Sequence, residues 1–311
     1  MKRVLVIGDV MLDKYIETSP VRISDEAPVL IVKETDVSYI LGGAGNTAAN
    51  LRAMGFDVVL QGVVGIDENG AVIKDILRNK GIIDALVNTT MAGTTTKKRI
   101  LCKGRQVIRV DSEGKVSALN PLLDEEVDVI VVSDYAKGVV GAETIKLLKE
   151  NYDVPVIVNG KPKNIRYYEG ADTVILNKRE ADEAKEILNV NTYEEIAGAM
   201  NFLYLVVTKG EEGIEAYNQG GLAYSVEADK VCAKDITGAG DTVTAALALE
   251  ISLSGDMEKA IKVANLAGGI KVTKDKTAEV SLEELVVNPE DEGRPTTEQR
   301  IAEIESERLD G

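Results

Sequence analysis

Short runs of Val, Ile and Leu recur along the chain between stretches in which apolar residues return every three or four positions. The runs at residues 4–7, 58–64, 129–132, 155–158, 173–176 and 203–208 are continuously apolar rather than alternating. Strands of that kind are covered on both faces, which predicts a mainly parallel sheet flanked by helices. Helical patterns fall between the runs at 46–54, 69–79, 142–150, 178–188, 193–201, 240–253 and 257–272. The alternation predicts an α/β, doubly wound domain over residues 1–287. Two stretches break it: 14–40 and 93–111 read as strands, the second with a turn at Lys103-Gly104. They predict a small β subdomain inserted twice into the large one, either a lid over the carboxyl edge of the main sheet, where open α/β folds place ligands, or a hairpin along one sheet edge. Residues 288–311 are rich in Glu, Arg and Thr and predict a frayed or disordered tail with no catalytic role.

Charge narrows the chemistry. Lys and Arg number 36 against 52 Asp and Glu, a formal net charge of −16, so most of the surface repels phosphate backbones and anionic lipid. Nucleic acid and membrane are therefore not expected as partners. The first apolar run is too short for a signal-peptide core, and the others fall far short of the roughly 20 residues that a membrane span needs. A soluble, cytoplasmic protein is expected. The chain has no histidine, which removes every His-based nucleophile pair and metal site and leaves proton transfer to a carboxylate, Lys, Tyr or Cys. Cys102 and Cys232 stand far apart in sequence; they read as two free thiols in a reducing compartment, with a single bridge as the other reading.

Two glycine clusters carry the chemical signal. Asp235-Ile236-Thr237-Gly238-Ala239-Gly240-Asp241-Thr242 runs straight into an apolar helical pattern. The small residues leave the backbone approachable, and the helix N-terminus offers unpaired N–H groups and the positive end of its dipole to an anion. Asp241 at that mouth is either an ordinary helix cap or a base that takes a hydroxyl proton while the amides hold a phosphoryl group. Leu41-Gly42-Gly43-Ala44-Gly45-Asn46 opens another helix and lacks both the dinucleotide and the P-loop spacing. It suits either close approach of a polyhydroxy ligand, with Asn46 bonding hydroxyls, or tight helix packing.

Together the clusters resemble the two signature regions of the ribokinase-like (PfkB) carbohydrate kinases, and the resemblance extends over residues 3–286. It implies a ribokinase-like fold, a β-sheet lid and an ATP- and Mg²⁺-dependent transfer to a sugar hydroxyl. Within the family, the segments at 6–13, 22–29, 42–46, 98–99, 109–111, 133–138 and 269–280, the last with Thr277-Ala278, are similar to kinases that phosphorylate the anomeric hydroxyl of D-glycero-β-D-manno-heptose 7-phosphate. Another sugar or sugar phosphate, or a silent sugar- or nucleotide-binding relative, are the alternative readings. The resemblance implies Asp241 as base and the amides of Gly238, Ala239, Gly240 and Asp241 as the anion hole. It implies sugar contacts from Asp13, Gly42, Gly43, Asn46, Asp134 and Lys137, phosphate contacts from Arg22 and Arg99, and nucleotide contacts from Asn177, Thr208, Lys209, Gly210, Gly213, Asn265 and Gly268. Glu180 would organise Mg²⁺, a monovalent cation is a further candidate beside Asp235, and a homodimer through the lid is implied. The chain departs from the family at Asn159-Gly160-Lys161-Pro162, where an Asp is usual at the first position, and at Asp25, where Pro is usual. Some relatives also carry a nucleotidyltransferase half with a His-x-Gly-His signature, which a histidine-free chain does not supply, so a stand-alone kinase or a kinase fragment is expected.

Overall fold

A computed structural model of the protein describes residues 1–114, 116–122 and 126–286. The tail expected at 288–311 lies outside them. Among the described residues the strands are, in chain order, β1 Arg3–Gly8, β2 Val10–Ile23, β3 Leu30–Gly43, β4 Asp57–Gln61, β5 Val63–Gly65, β6 Ile83–Asp84, β7 Val87–Thr89, β8 Thr96–Cys102, β9 Arg105–Ser112, β10 Val129–Ser133, β11 Val156–Asn159, β12 Thr173–Asn177, β13 Tyr204–Thr208, β14 Ile214–Asn218 and β15 Gly221–Val226. The α-helices are α1 Ala44–Ala53, α2 Glu68–Lys80, α3 Thr144–Asn151, α4 Lys178–Leu188, α5 Tyr193–Ala199, α6 Ala239–Ser254, α7 Met257–Val272 and α8 Leu282–Val286.

The continuously apolar runs form the centre of one sheet, in the order β15-β14-β13-β12-β11-β10-β1-β4-β6. Its strands pair in parallel from β13 through β6. Alternate residues of each run enter opposite layers, as a strand's two-residue period requires. Val4, Val6, Val129, Val131, Ile157, Ile175 and Val206 face a layer built from α1, α2, α6 and α7. Leu5, Ile7, Ile130, Val132, Val156, Val158, Val174 and Leu205 face α3, α4 and α5. The doubly wound α/β expectation is met. Two details differ from it. The run at 58–64 is two strands with Gly62 between them, where a Cβ would stand 2.6 Å from Val10 Cγ2 and 2.8 Å from the Gly8 carbonyl oxygen. Past that point the chain leaves the main sheet and β5 pairs with β7 instead. The sheet also ends in an antiparallel hairpin, β14-β15, that the apolar pattern did not single out.

The two pattern-breaking stretches form a second sheet in the order β3-β2-β8-β9, separate from the main one. Its strands extend past the expected 14–40 on both sides, since β2 begins at Val10 and β3 ends at Gly43. β2 pairs with β3 antiparallel and with β8 in parallel, so the hairpin and the second insertion meet edge to edge. The turn between β8 and β9 falls at Lys103 and Gly104, at φ 52° and 74°, the paired left-handed conformations of a tight hairpin. Cys102 and Cys232 are both free thiols.

Candidate active site

Asp241 lies in the first turn of α6, whose N-cap Gly238 adopts φ 81°. That conformation favours glycine, and a Cβ there would approach Asn46 Nδ2 to 2.7 Å and Thr277 Cγ2 to 3.1 Å. The turn is therefore pressed against α1, and α1 brings two donors to the Asp241 carboxylate. Asn46 Nδ2 donates to Oδ2 at 2.7 Å and Thr47 Oγ1 to Oδ1 at 3.2 Å. Tyr135 Oη donates to Oδ1 at 2.7 Å, and Asn159 Nδ2 reaches the same oxygen at 3.3 Å. The carboxylate is buried, at 3% exposure. Burial pushes its proton affinity above the ordinary carboxylate range, against the pull of the Asn46, Tyr135 and Thr47 donors and the Lys161 charge. If Asp241 is the base that the family resemblance implies, it must be ionised to act, so activity should be full at high pH and fall as acid protonates it, with a midpoint above the usual 3.8. A pH–rate profile, with circular dichroism as the folding control, checks this; a flat rate down to about pH 4 would contradict it.

Around Asp241 the structure brings together Gly238, Asn46, Tyr135 and Asn159. Of the cradle amides, that of Ala239 already donates to the Ile236 carbonyl at 3.2 Å. The Tyr135 hydroxyl is raised well above its ordinary value, by burial first and then by the negative charges of Asp241, Asp13 and Glu180. Its ring lies 5.6 Å from Lys97 Nζ and 5.2 Å from Lys161 Nζ.

The loop carrying Tyr135 is held by a residue the sequence reading left out. Asp9, between β1 and β2, accepts the amides of Tyr135 at 2.8 Å, Lys137 at 3.0 Å and Val139 at 3.2 Å. Burial pushes its carboxyl up to about 6. Asp134 turns the other way: its carboxylate accepts from Ala136 N at 2.6 Å, Asn164 Nδ2 at 2.8 Å and Tyr168 Oη at 2.6 Å, a structural role inside the fold. Lys137 pairs with Glu113 at 2.5 Å. Tyr135, which lies between Asp134 and Ala136, is the member of the segment that reaches Asp241. In a histidine-free chain, an aromatic hydroxyl in a loop matching the family was the available signal.

In the lid, Asp13 and Arg99 form a buried ion pair on the neighbouring strands β2 and β8. Gly42 lies against it, since a Cβ there would stand 2.8 Å from Asp13 Oδ2. Gly43, at φ 57°, presses on the Asp9 carbonyl, 2.2 Å from where its Cβ would be. Arg22 is not brought to this cluster. It is exposed, pairs with Asp25 at 2.8 Å, and lies seven residues farther along β2 from Tyr15, the register partner of Arg99, a separation of about 23 Å. Of the two arginines expected to contact phosphate, Arg99 is buried in the ion pair and Arg22 lies far along the strand from it.

On the other side, Asn177 and Glu180 form a capping box at the start of α4. Asn177 Oδ1 accepts from Glu180 N at 2.9 Å, and Glu180 Oε2 accepts from Asn177 N at 3.0 Å. The other Glu180 oxygen pairs with Lys161. Lys161, Pro162, Lys163, Asn177, Arg179, Glu180 and Glu183 line an open cleft of about 310 Å³. Among the described residues, no group of three or more His, Cys, Asp or Glu could hold a metal on its own. The donor set nevertheless suits Mg²⁺, which binds through one or two carboxylates plus the phosphates of its substrate. Glu180 and Glu183 are the carboxylates that line this cleft, and Glu180 is the one the family resemblance points to.

Thr208 ends β13, and Gly210 and Gly213 turn the chain at φ 60° and 96°. Lys209 is tied to Glu215, and Asn265 Nδ2 donates to the Glu227 carbonyl at 3.0 Å. Gly268 packs α7 against α6, with a would-be Cβ 3.0 Å from Val243 Cγ2. Beside Asp235 the donors do not suit a dissolved monovalent cation. Its carboxylate oxygens accept Thr237 N at 2.8 Å and Lys276 N at 3.1 Å, and its carbonyl accepts Lys271 Nζ at 3.3 Å.

Solved structures share this architecture. Thermotoga maritima ribokinase superposes with a TM-score of 0.73 at 18% identity, covering 92% of this chain and 98% of that one. Escherichia coli phosphofructokinase-2 in complex with potassium gives 0.71 at 17%, covering 91% and 96%. The fold is ribokinase-like, and the protein is of the class of ATP-dependent sugar kinases. Residues 1–285 match the pfkB family of carbohydrate kinases, and the chain belongs to that family. Bifunctional protein HldE of Campylobacter curvus is 35% identical over 98% of this chain and 70% of its own length. HldE of Nitratiruptor sp. is 35% identical over 97% and 68%. The chain thus spans about two thirds of the length of these relatives. Kinases of the family use ATP and Mg²⁺. Among the described residues no helix is long and apolar enough to cross a membrane.

Proposed function

We propose that the chain transfers the γ-phosphoryl group of ATP to the anomeric hydroxyl of D-glycero-β-D-manno-heptose 7-phosphate. The observation that carries the transfer is Asp241, a desolvated carboxylate in the first turn of α6, ringed by hydroxyl and amide donors. The acceptor hydroxyl takes the place of Tyr135 as donor to Oδ1. As its oxygen bonds to the γ-phosphorus and the bond to the ADP oxygen breaks, its proton passes to Asp241. The amides of Gly238, Gly240 and Asp241 face the charge that builds on the phosphoryl oxygens. Glu180, released from Lys161, would hold Mg²⁺, which neutralises phosphate charge when bound. The heptose assignment is supported by the matching segments and by the HldE relatives.

A second reading has its own support. The Arg99 guanidinium is already neutralised by Asp13, and Arg22 stands apart, which favours a sugar without a phosphate. A panel of sugars and sugar phosphates, assayed by ADP release, separates the two. Turnover on heptose 7-phosphate well above that on other acceptors is expected. Turnover confined to an unphosphorylated sugar would establish the second reading, and none on any acceptor would refute both.

A further inference from the structure

We propose that the side chain of Lys271 is a built-in monovalent cation beneath the phosphoryl-binding turn, so that this kinase works without a dissolved potassium or ammonium ion. Lys271 lies in the last turn of α7 and is fully buried, at 0% exposure. A lysine that only caps a helix C-terminus keeps its ammonium in water, because burying that charge is costly. Here the ammonium points inward, to the carbonyl oxygen of Asp235 at 3.3 Å. Burial lowers its proton affinity, the Asp235 charge counters that, the Lys274 charge adds to the lowering and Asp275 opposes it, and the net direction is downward.

What the ammonium touches is the segment leading into the cradle. Residues 234 and 235 are fastened to the end of α7, both donating to the Val272 carbonyl, at 2.7 and 3.2 Å. The Asp235 carboxylate then fixes the next turn through Thr237 N and reaches across to Lys276 N. Ala239 N closes the turn on the Ile236 carbonyl, and Gly238 swings the chain into α6. The amide directions at Gly238, Gly240 and Asp241 therefore depend on a segment whose carbonyl and carboxylate both lie near one buried positive charge. A single positive charge held by backbone oxygen is what a bound potassium ion would supply. The tethered ammonium supplies it covalently and uses the oxygen that a dissolved ion would need. Lys271 acts through the turn and not on the reacting atoms, so it is a positioning residue.

The inference rests on the kinase activity but not on which sugar accepts the phosphoryl group. Turnover of the wild type, with whichever acceptor is active, should agree within about twofold in potassium, ammonium, sodium and tetramethylammonium salts at one ionic strength. Lys271→Met should lose about tenfold or more in tetramethylammonium and recover in potassium or ammonium. A lysine that merely filled space would give a defect that no small cation repairs. Melting temperatures in the same salts need no acceptor. Potassium should raise that of Lys271→Met and leave that of the wild type unchanged, so this arm stands even if the heptose reading fails. Activation of the wild type by potassium beyond about threefold would overturn the proposal, as would a variant indifferent to the salt. If the variant does not fold, the wild-type comparison alone decides.

Discussion

Asp241→Asn lowers turnover by about 10²–10⁴ and leaves ATP binding nearly unchanged, the contribution expected of one positioned base. Asn keeps the shape of the side chain, so Asn46, Thr47, Tyr135 and Asn159 retain a polar group to face, while the ability to take a proton is lost. Stability should move the other way. A buried carboxyl whose proton affinity is raised favours the folded state only in its protonated form, and that favour is gone once pH rises through the raised value. At neutral pH the wild type therefore carries a charge that burial opposes, and Asp241→Asn should melt at the same temperature or higher. Steady-state kinetics, calorimetric ATP titration and a thermal melt give the three readings. A variant that keeps most of its rate would remove Asp241 from the chemistry.

Arg99→Ala should destabilise the protein by about 3–5 kcal/mol, the range for stripping one partner from a buried ion pair. Asp13 is left with its side chain 5% exposed and no counter-charge. Arg99 also stacks on Tyr15, with Cζ 5.1 Å from the ring centroid, and the Tyr15 hydroxyl is pushed up to about 12, chiefly by burial. Urea unfolding monitored by circular dichroism measures the loss, and the double variant Asp13→Asn with Arg99→Met should recover most of it, because no uncompensated charge remains. A loss below about 1 kcal/mol would mean that water reaches Asp13 once Arg99 is gone. In the folded fraction, the apparent KM for a phosphorylated sugar should rise far more than that for ATP; equal changes would exclude Arg99 as a phosphate contact.

Local signals in the sequence carried most of the fold. The bounds of α4 and α7 were legible to the residue: an Asn-to-Glu capping box starts one helix and an Asp cap starts the other. The Lys103-Gly104 turn was legible for the same reason. The hairpin β14-β15 was not, because Ile214–Asn218 mixes buried and half-exposed residues and lacks the continuous apolar character of the central strands. Nor was the break at Gly62, whose crowding neighbours, Val10 and Gly8, are more than 50 positions away in sequence. At the site, Asp241, Asn46 and Gly238 were visible because glycine-rich turns announce themselves. Asp9 was not: its work is to gather three amides some 130 residues downstream, and nothing around it in sequence records that. Arg22 and Arg99 looked alike in the sequence, and only the strand register separates the exposed one from the buried one.

The hairpin from Val10 to Gly43 leaves the main domain and returns to it at a single place, where Ala44 N donates to the Asp9 carbonyl at 3.0 Å. Asn46 and the turn at Gly238 lie on the main-domain side of that clasp, while the ribbon beyond it is tied again, to β8 along residues 12–18 and to Lys276 through Ser38 and Tyr15. A change of length confined to the exposed far end of the ribbon, at 20–30, would leave those ties and the surroundings of Asp241 in place.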